Sequence, residues 1–260
     1  MIVCADDFGL RGDIDRAIIE LCSMRKLSAV SCMALFQRCS AESLRPLLAL
    51  RDRIDLGLHL CLTQESPALS PREGPPPLLF SSYASCVRRA LRRKTRLEEI
   101  MAEIGAQYRL FELKCGAPPD YVDGHLHIHQ APGVRKALIR FILSLPEKRR
   151  PYIRNTHLPL RRLRQQRLPL VKAGVIGRFG KRMAVALRKA RLRTNDGFAG
   201  IYDFERARPF REYLPRFLNC LDNRTGILVV HPGHEEKWRA KEFEALRDFL
   251  FSREPNRFEP

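Results

Sequence analysis

Two segments far apart in the chain bring together adjacent carboxylates and closely spaced imidazoles. The first is Ala5-Asp6-Asp7-Phe8-Gly9, directly after the apolar opening Met1-Ile2-Val3-Cys4; the second is Asp123-Gly124-His125-Leu126-His127-Ile128-His129. Carboxylate oxygens and imidazole nitrogens are the ligand types of a divalent-metal site, and a spare carboxylate beside them can take a proton from water. Alternate residues of a strand share a face, so a strand over 121–129 predicts His125, His127 and His129 on one side. Three imidazoles so close together are expensive to charge and are seldom a packing choice. Not all three need hold metal; one or two suit substrate contact or support of the ligands. His59, in Gly57-Leu58-His59-Leu60, and His231, ahead of Pro232-Gly233-His234, complete the candidates. Taken singly, Asp6-Asp7 also reads as a turn with a helix cap, and His59 as a core histidine. Jointly they read as a metal site.

The elements that must position these residues alternate between strand and helix. Strands are expected at 2–5, 28–35, 54–62, 121–129 and 226–231. Helices are expected at 14–24, 41–51, 95–114, 134–145 and 241–251, from apolar residues recurring at helical spacing. The helix at 95–114 opens on a Thr95/Glu98 capping pattern. Pro75-Pro76-Pro77 rules out regular structure within 65–80. The stretch 157–193 is basic with weaker periodicity and reads as an inserted surface element. Repeated strand–helix units predict a parallel sheet, closed or open. Asp6-Asp7, His59, His125 and His231 then all fall at carboxyl ends of strands, which in a barrel is the catalytic face.

Composition sets outer bounds. The 260 residues are 45% hydrophobic and 29% charged, ordinary for a folded chain that builds one large core. No repeat or domain boundary is visible, so a single domain over 1–260 is expected. No apolar run is long enough to span a membrane, and no signal peptide is evident. The eight cysteines form no CxxC pair and are expected as buried free thiols in a reducing cytoplasm. Net charge is +18, with 47 Lys+Arg against 29 Asp+Glu. The excess clusters at 88–94, 148–150, 161–164 and 181–193. Three readings compete for it: a solubilising surface, attraction to an anionic membrane or acidic ligand, and nucleic-acid binding. The last lacks any accompanying helix-turn-helix, zinc-finger or aromatic RNA-binding signature.

The same residues carry a family resemblance. Ala5–Leu10, Leu27–Ser31, Gly57–Thr63, Val122–His129, Pro132–Arg135, Thr194–Asp203 and Val230–Gly233 together resemble the YdjC-like carbohydrate deacetylases, which include chitooligosaccharide and hopanoid-biosynthesis deacetylases (the ChbG and HpnK type). The resemblance runs in family order over nearly the whole chain. It implies an irregular (β/α) barrel, TIM-barrel-like and related to the polysaccharide-deacetylase type, that removes N-acetyl groups from a sugar, oligosaccharide or glycolipid. It further implies one divalent metal ion, Mg²⁺ or Zn²⁺, held by Asp7, His59 and His125, with Asp6 as base and His231 as substrate contact or proton donor. His127, His129, Asn195 and Phe198 are assigned substrate contact or support of the ligands. Two features depart from the pattern: the first strand lacks the basic residues that usually precede it, and 157–193 is unusually basic.

The chemistry follows from the donor set. One carboxylate and two imidazoles leave positions on a metal for water and for the acetyl carbonyl oxygen. Asp6 cannot easily point the same way as its neighbour Asp7, so one is expected to ligate and the other to take the proton. On softness the set suits Zn²⁺, Co²⁺, Ni²⁺ or Mn²⁺ better than Mg²⁺, while the family resemblance keeps Mg²⁺ open. Expected partners are an N-acetylated carbohydrate or glycolipid and, through the basic clusters, peripheral contact with an anionic membrane; no nucleic acid is expected, and a dimer stays open. A metallo-phosphoesterase or amidohydrolase is the alternative, disfavoured because such enzymes usually carry His-x-His on the first strand. A basic nucleic-acid-binding protein with a vestigial site would explain the charge but not the intact site.

Overall fold

The computed structural model describes residues 1–62, 97–165, 170–204, 209–221, 225–251 and 255–258. The proline-rich 65–80 stretch, the basic cluster at 88–94, Cys86 and the Thr95 cap lie outside the described residues. Seven strands form one parallel sheet: β1 (Ile2–Phe8), β2 (Ala29–Cys32), β3 (Asp55–Leu60), β4 (Tyr121–Gly124), β5 (Tyr152–Ile153), β6 (Phe198–Ala199) and β7 (Ile227–Val230), in the order β5-β4-β3-β2-β1-β7-β6. The strand residues are buried throughout, as expected where both faces of a parallel sheet are covered. The connecting helices are α1 (Gly12–Ser23), α2 (Ala41–Leu48), α3 (Leu97–Cys115), α4 (Pro132–Ser144), α5 (Leu160–Gln165), α6 (Leu170–Lys189), α7 (Phe210–Leu218) and α8 (Lys237–Asp248).

Local signals account for the helices. In α1 the periodic residues Ile14, Ala17, Ile18, Leu21 and Cys22 are the buried ones. A Ser40/Ser43 capping box starts α2, and Pro132 occupies the first turn of α4, where its missing N–H costs nothing.

The sheet is curled. Ile2, Cys4, Ala29, Tyr121 and Val229 share one small apolar cluster with Tyr152 of β5 and Phe198 of β6, the two edge strands. Tyr121 reaches this inner side because residue 57 is glycine: a Cβ there would stand 2.3 Å from the Tyr121 ring. Among the described residues no backbone ladder pairs β5 with β6. The edges are instead latched just beyond β5 and just before β6. Asn155 N–H donates to Asn195 Oδ1 (2.8 Å), Asn155 Nδ2 to the Asn195 carbonyl (2.7 Å) and Asn195 Nδ2 to the Asn155 carbonyl (2.9 Å). The expected barrel is thus met as a curled, seven-stranded parallel α/β sheet.

Three expectations change. The segment 157–193 is not an inserted surface element: it carries α5 and α6, and α6 buries Met183, Ala184 and Leu187. Gly180 lets α6 sit against the chain after β5, since a Cβ there would lie 2.4 Å from the Thr156 carbonyl carbon. The edge strands β5 and β6, two residues each, are too short to show periodicity, and α7 also escaped the sequence reading. Finally, the 121–129 strand stops at Gly124. Leu126 and His127 take left-handed backbone angles (φ 53° and 58°), turning His125–Gln130 into a kinked, tight-turned stretch, so the three histidines do not share a strand face.

Candidate active site

Because all strands run parallel, their carboxyl ends share one edge, and β1, β3, β4 and β7 deliver Asp6-Asp7, His59, His125 and His231 to it. Asp6, Asp7, His59, His125, His127 and His231 line one cavity of about 590 Å³. Here the structure corrects the expectation that neighbouring Asp6 and Asp7 must diverge. The β1–β2 register shifts between Ala5 and Phe8, and Asp7 adopts φ 73°. A bulge adds a residue and re-aims a side chain, so both carboxylates face the cavity.

Each carboxylate has its own partners. Arg154, fully buried, donates to both oxygens of Asp6 (Nη1–Oδ1 2.7 Å, Nη2–Oδ2 2.8 Å) and pairs with Asp123 Oδ2 at 2.9 Å. Burial alone would raise the Asp6 pKa, but Arg154 and then His59 override it and hold the carboxyl well below its ordinary value. Asp7 receives Arg239 Nη2 on Oδ2 at 2.7 Å, while Oδ1 faces His125 Nδ1 at 3.1 Å and His59 Nε2 at 3.7 Å. Against burial, the His125 contact and Arg239 keep Asp7 ionised.

Asp7, His59 and His125 each offer one ligand atom, and these atoms all lie within 4.8 Å of one another. Asp123 Oδ1 meets His59 Nδ1 at 2.6 Å, which makes Nδ1 the donor and turns the lone pair on Nε2 toward Asp7 Oδ1. A lone pair facing a carboxylate oxygen inside the protein calls for a cation between them. Burial lowers the His59 pKa, yet Asp123 and Asp6 raise it on balance, so the surrounding carboxylates favour positive charge at this point. A carboxylate holding the far nitrogen of an imidazole ligand is the usual support of a metal site, so the residues present fit a divalent ion. Ser31 Oγ donates to Asp123 Oδ2 at 2.6 Å and completes that support.

The other candidates divide. His231 Nε2 stands 4.0 Å from Asp6 Oδ2, and burial lowers its pKa to about 4. His127 lines the cavity with its ring edge-on to Phe198 at 5.6 Å; burial and then Arg154 lower its pKa to about 3, so it stays neutral. His129 does not reach the cavity: it is buried, and its Nε2 donates to the Arg154 carbonyl at 2.9 Å, holding the segment that carries Arg154. Phe198 supports His127 from behind. Asn195 belongs to the latch between the sheet edges and is not part of the cavity lining.

Sequence reading missed Arg154, Asp123, Arg239 and Glu242. The basic run just before Arg154 hides it, Asp123 stands out only as part of the His motif, Arg239 precedes the expected start of its helix at 241, and Glu242 carries no signal that separates it from the other charges of that helix. The cavity walls are mostly apolar, with Val175 and Ile176 from α6, then Ile201, Phe204 and Trp238. The last two rings stack at 4.3 Å.

A curled parallel α/β sheet whose carboxyl edge gathers two adjacent carboxylates and four imidazoles under an apolar-walled cavity defines the class of protein. Within it, the chain belongs to the YdjC-like protein family, whose sequence profile matches residues 1–253. It is 29% identical over 167 residues to human carbohydrate deacetylase (62% of this chain, 49% of that one) and 34% identical over 131 residues to Proteus mirabilis chitooligosaccharide deacetylase (50% and 49%). The chain spans about half the length of the curated relatives it matches. Its fold is similar to that of an Enterococcus faecalis protein described as a cellobiose-phosphate cleavage protein, with TM-score 0.68 at 18% identity, covering 95% of this chain and 90% of that one.

Proposed function

We propose that this protein removes N-acetyl groups from an acetylated amino sugar, free, in an oligosaccharide or on a lipid, by metal-assisted hydrolysis. The observation that carries this reading is the division of labour between two adjacent carboxylates in one cavity: Asp7 joins the two imidazoles, while Asp6 is clamped by a guanidinium and kept ionised. Asp7, His59 and His125 would hold the ion, Mg²⁺ or Zn²⁺. When bound it supplies Lewis acidity, polarising the acetyl carbonyl and lowering the pKa of the attacking water. Asp6, unprotonated at neutral pH, takes the water's proton. His231 faces Asp6 across the cavity and gives a proton to the departing amine, a step an amide requires because an amide anion is a very poor leaving group. His127 stays neutral and offers a hydrogen bond, and the Trp238–Phe204 wall suits the apolar face of a sugar ring.

Exposed Arg178, Lys181, Arg182, Arg188 and Lys189 lie on α6, the helix that also supplies Val175 and Ile176 to the cavity wall. This supports a basic rim beside the cavity mouth that meets an anionic membrane surface. Among the described residues, seven free cysteines, six of them buried, support a cytoplasmic setting.

The experiment is acetate release from a panel of N-acetylated sugars by wild type and Asp6→Asn. The variant should keep its metal and lose about 10²–10⁴-fold in rate, the span of general-base catalysis. Metal lost from Asp6→Asn but retained in Asp7→Asn would reverse the pair.

A further inference from the structure

Glu242 is fully buried on α8, beneath His231. A buried carboxylate is expensive unless its oxygens are satisfied, and both of these are. The Tyr202 hydroxyl donates to Oε1, and the backbone N–H of His231 donates to Oε2. Oε1 also stands 4.0 Å from His231 Nδ1, the ring atom turned away from the cavity, and Nδ1 has no hydrogen-bond partner of its own among the described residues. Nε2, the other ring nitrogen, faces Asp6.

We propose that Glu242 is the positioning residue of the proton donor: it clamps the His231 backbone, aims Nε2 at the reacting bond and gives Nδ1 the negative neighbour it needs to carry a proton. This rests on the deacetylase reading above. The reaction then balances. The water oxygen bonds to the acetyl carbon as its proton passes to Asp6. The C–N bond breaks with its electron pair staying on nitrogen, which takes the Nε2 proton of His231, leaving a free amine and acetic acid, which then loses its remaining water-derived proton to solvent as acetate. The proton on Asp6 returns to His231 Nε2, 4.0 Å away, through one intervening water. Burial disfavours the charged form of His231 and, with Arg239 and Arg154, outweighs Asp7 and Asp6. The charged groups facing it are Asp6 and Asp7 from β1, Arg239 from α8 and Arg154 after β5, besides Glu242; those facing Glu242 are Arg239 and Asp7, with Tyr202 and the His231 N–H. Two guanidiniums oppose the imidazolium, and Glu242 is the carboxyl on the Nδ1 side; burial pushes its pKa up to about 7, so its negative charge is fully present only above neutral pH, where the rates are compared.

The test compares two leaving groups. An N-acetylated sugar needs a proton on its amine; 4-nitrophenyl acetate releases a phenolate that needs none. Glu242→Gln keeps an acceptor for the His231 N–H but removes the charge. It should lower kcat on the sugar by about 10- to 10²-fold, with metal content and KM near wild type and a much smaller loss on the ester. Combined with His231→Ala it should add no further loss, because both changes remove one proton transfer. Tyr202→Phe, which frees one Glu242 oxygen, should show the same selectivity more weakly, and it serves where Glu242→Gln does not fold. Equal losses on amide and ester, or additive losses in the double variant, would overturn the role of Glu242 and leave the deacetylase reading standing. Wild-type protein that hydrolyses the ester but releases no acetate from any sugar would overturn that reading, and this role with it.

Discussion

Arg154→Met tests whether charge, rather than packing, makes Arg154 central. The guanidinium is fully buried, holds both Asp6 oxygens at 2.7 and 2.8 Å, and lies 2.9 Å from Asp123. Methionine fills part of the volume but leaves two buried carboxylates short of a cation. Breaking a buried pair in this way costs about 3–5 kcal/mol, a fall in Tm on the order of 10 °C at about 2–4 °C per kcal/mol for a chain of this size. The pH dependence fixes the sign. The Asp6 pKa is depressed in the folded state, so its stabilising contribution is present above the unfolded carboxyl value, about 3.9, and is lost only as pH falls through the lower folded value. In the variant, burial is no longer overridden and the carboxyl pKa rises above the unfolded value. Its ionised form then opposes folding at neutral pH, and acidification relieves it. The gap in unfolding free energy between wild type and Arg154→Met should therefore be largest near pH 7 and shrink toward pH 4. Urea unfolding followed by the fluorescence of Trp238, the chain's single tryptophan, measures it. The acid limb of the activity profile should also move to higher pH. A gap under about 1 kcal/mol at pH 7, or one that does not change with pH, would refute the electrostatic account and leave Arg154 a packing residue.

Further outcomes follow from the same geometry. His125→Ala should remove most bound divalent metal and most activity, since it withdraws one of three converging ligand atoms; normal stoichiometry by elemental analysis would end that assignment. Asn195→Leu should remove the Oδ1 that accepts the Asn155 backbone N–H and the Nδ2 that donates to the Asn155 carbonyl, costing about 1–3 kcal/mol in denaturant unfolding; no change would mean that the sheet edges hold without it. Binding to anionic vesicles should weaken steeply with salt, because exposed charges are screened beyond about 8 Å at physiological ionic strength, while hydrolysis of a small soluble sugar barely changes. Equal binding to neutral and anionic vesicles, or none to either, would return the basic clusters to a solubilising role.

The sequence by itself pointed to the parallel α/β plan and to the four segments that line the cavity. Those signals are local: apolar runs of strand length, helical periodicity in α1, and the side-chain types at 6–7, 59, 125–129 and 231. It also exposed the resemblance to the YdjC-like family, because the motifs recur in order along the chain. The division of roles within the motifs was decided by tertiary structure. Neighbouring Asp6 and Asp7 face the same cavity because a bulge and one left-handed residue re-aim β1. The alternating histidines leave the strand because the backbone turns at Leu126 and His127. Arg154, Arg239 and Glu242 look like ordinary surface charges in the sequence. Only when β5, α8 and the strand ends are packed together do Arg154 and Arg239 set the charge of Asp6 and Asp7 and does Glu242 take the His231 backbone N–H, because interaction between charges depends on distance and burial in space, which spacing along the chain does not encode.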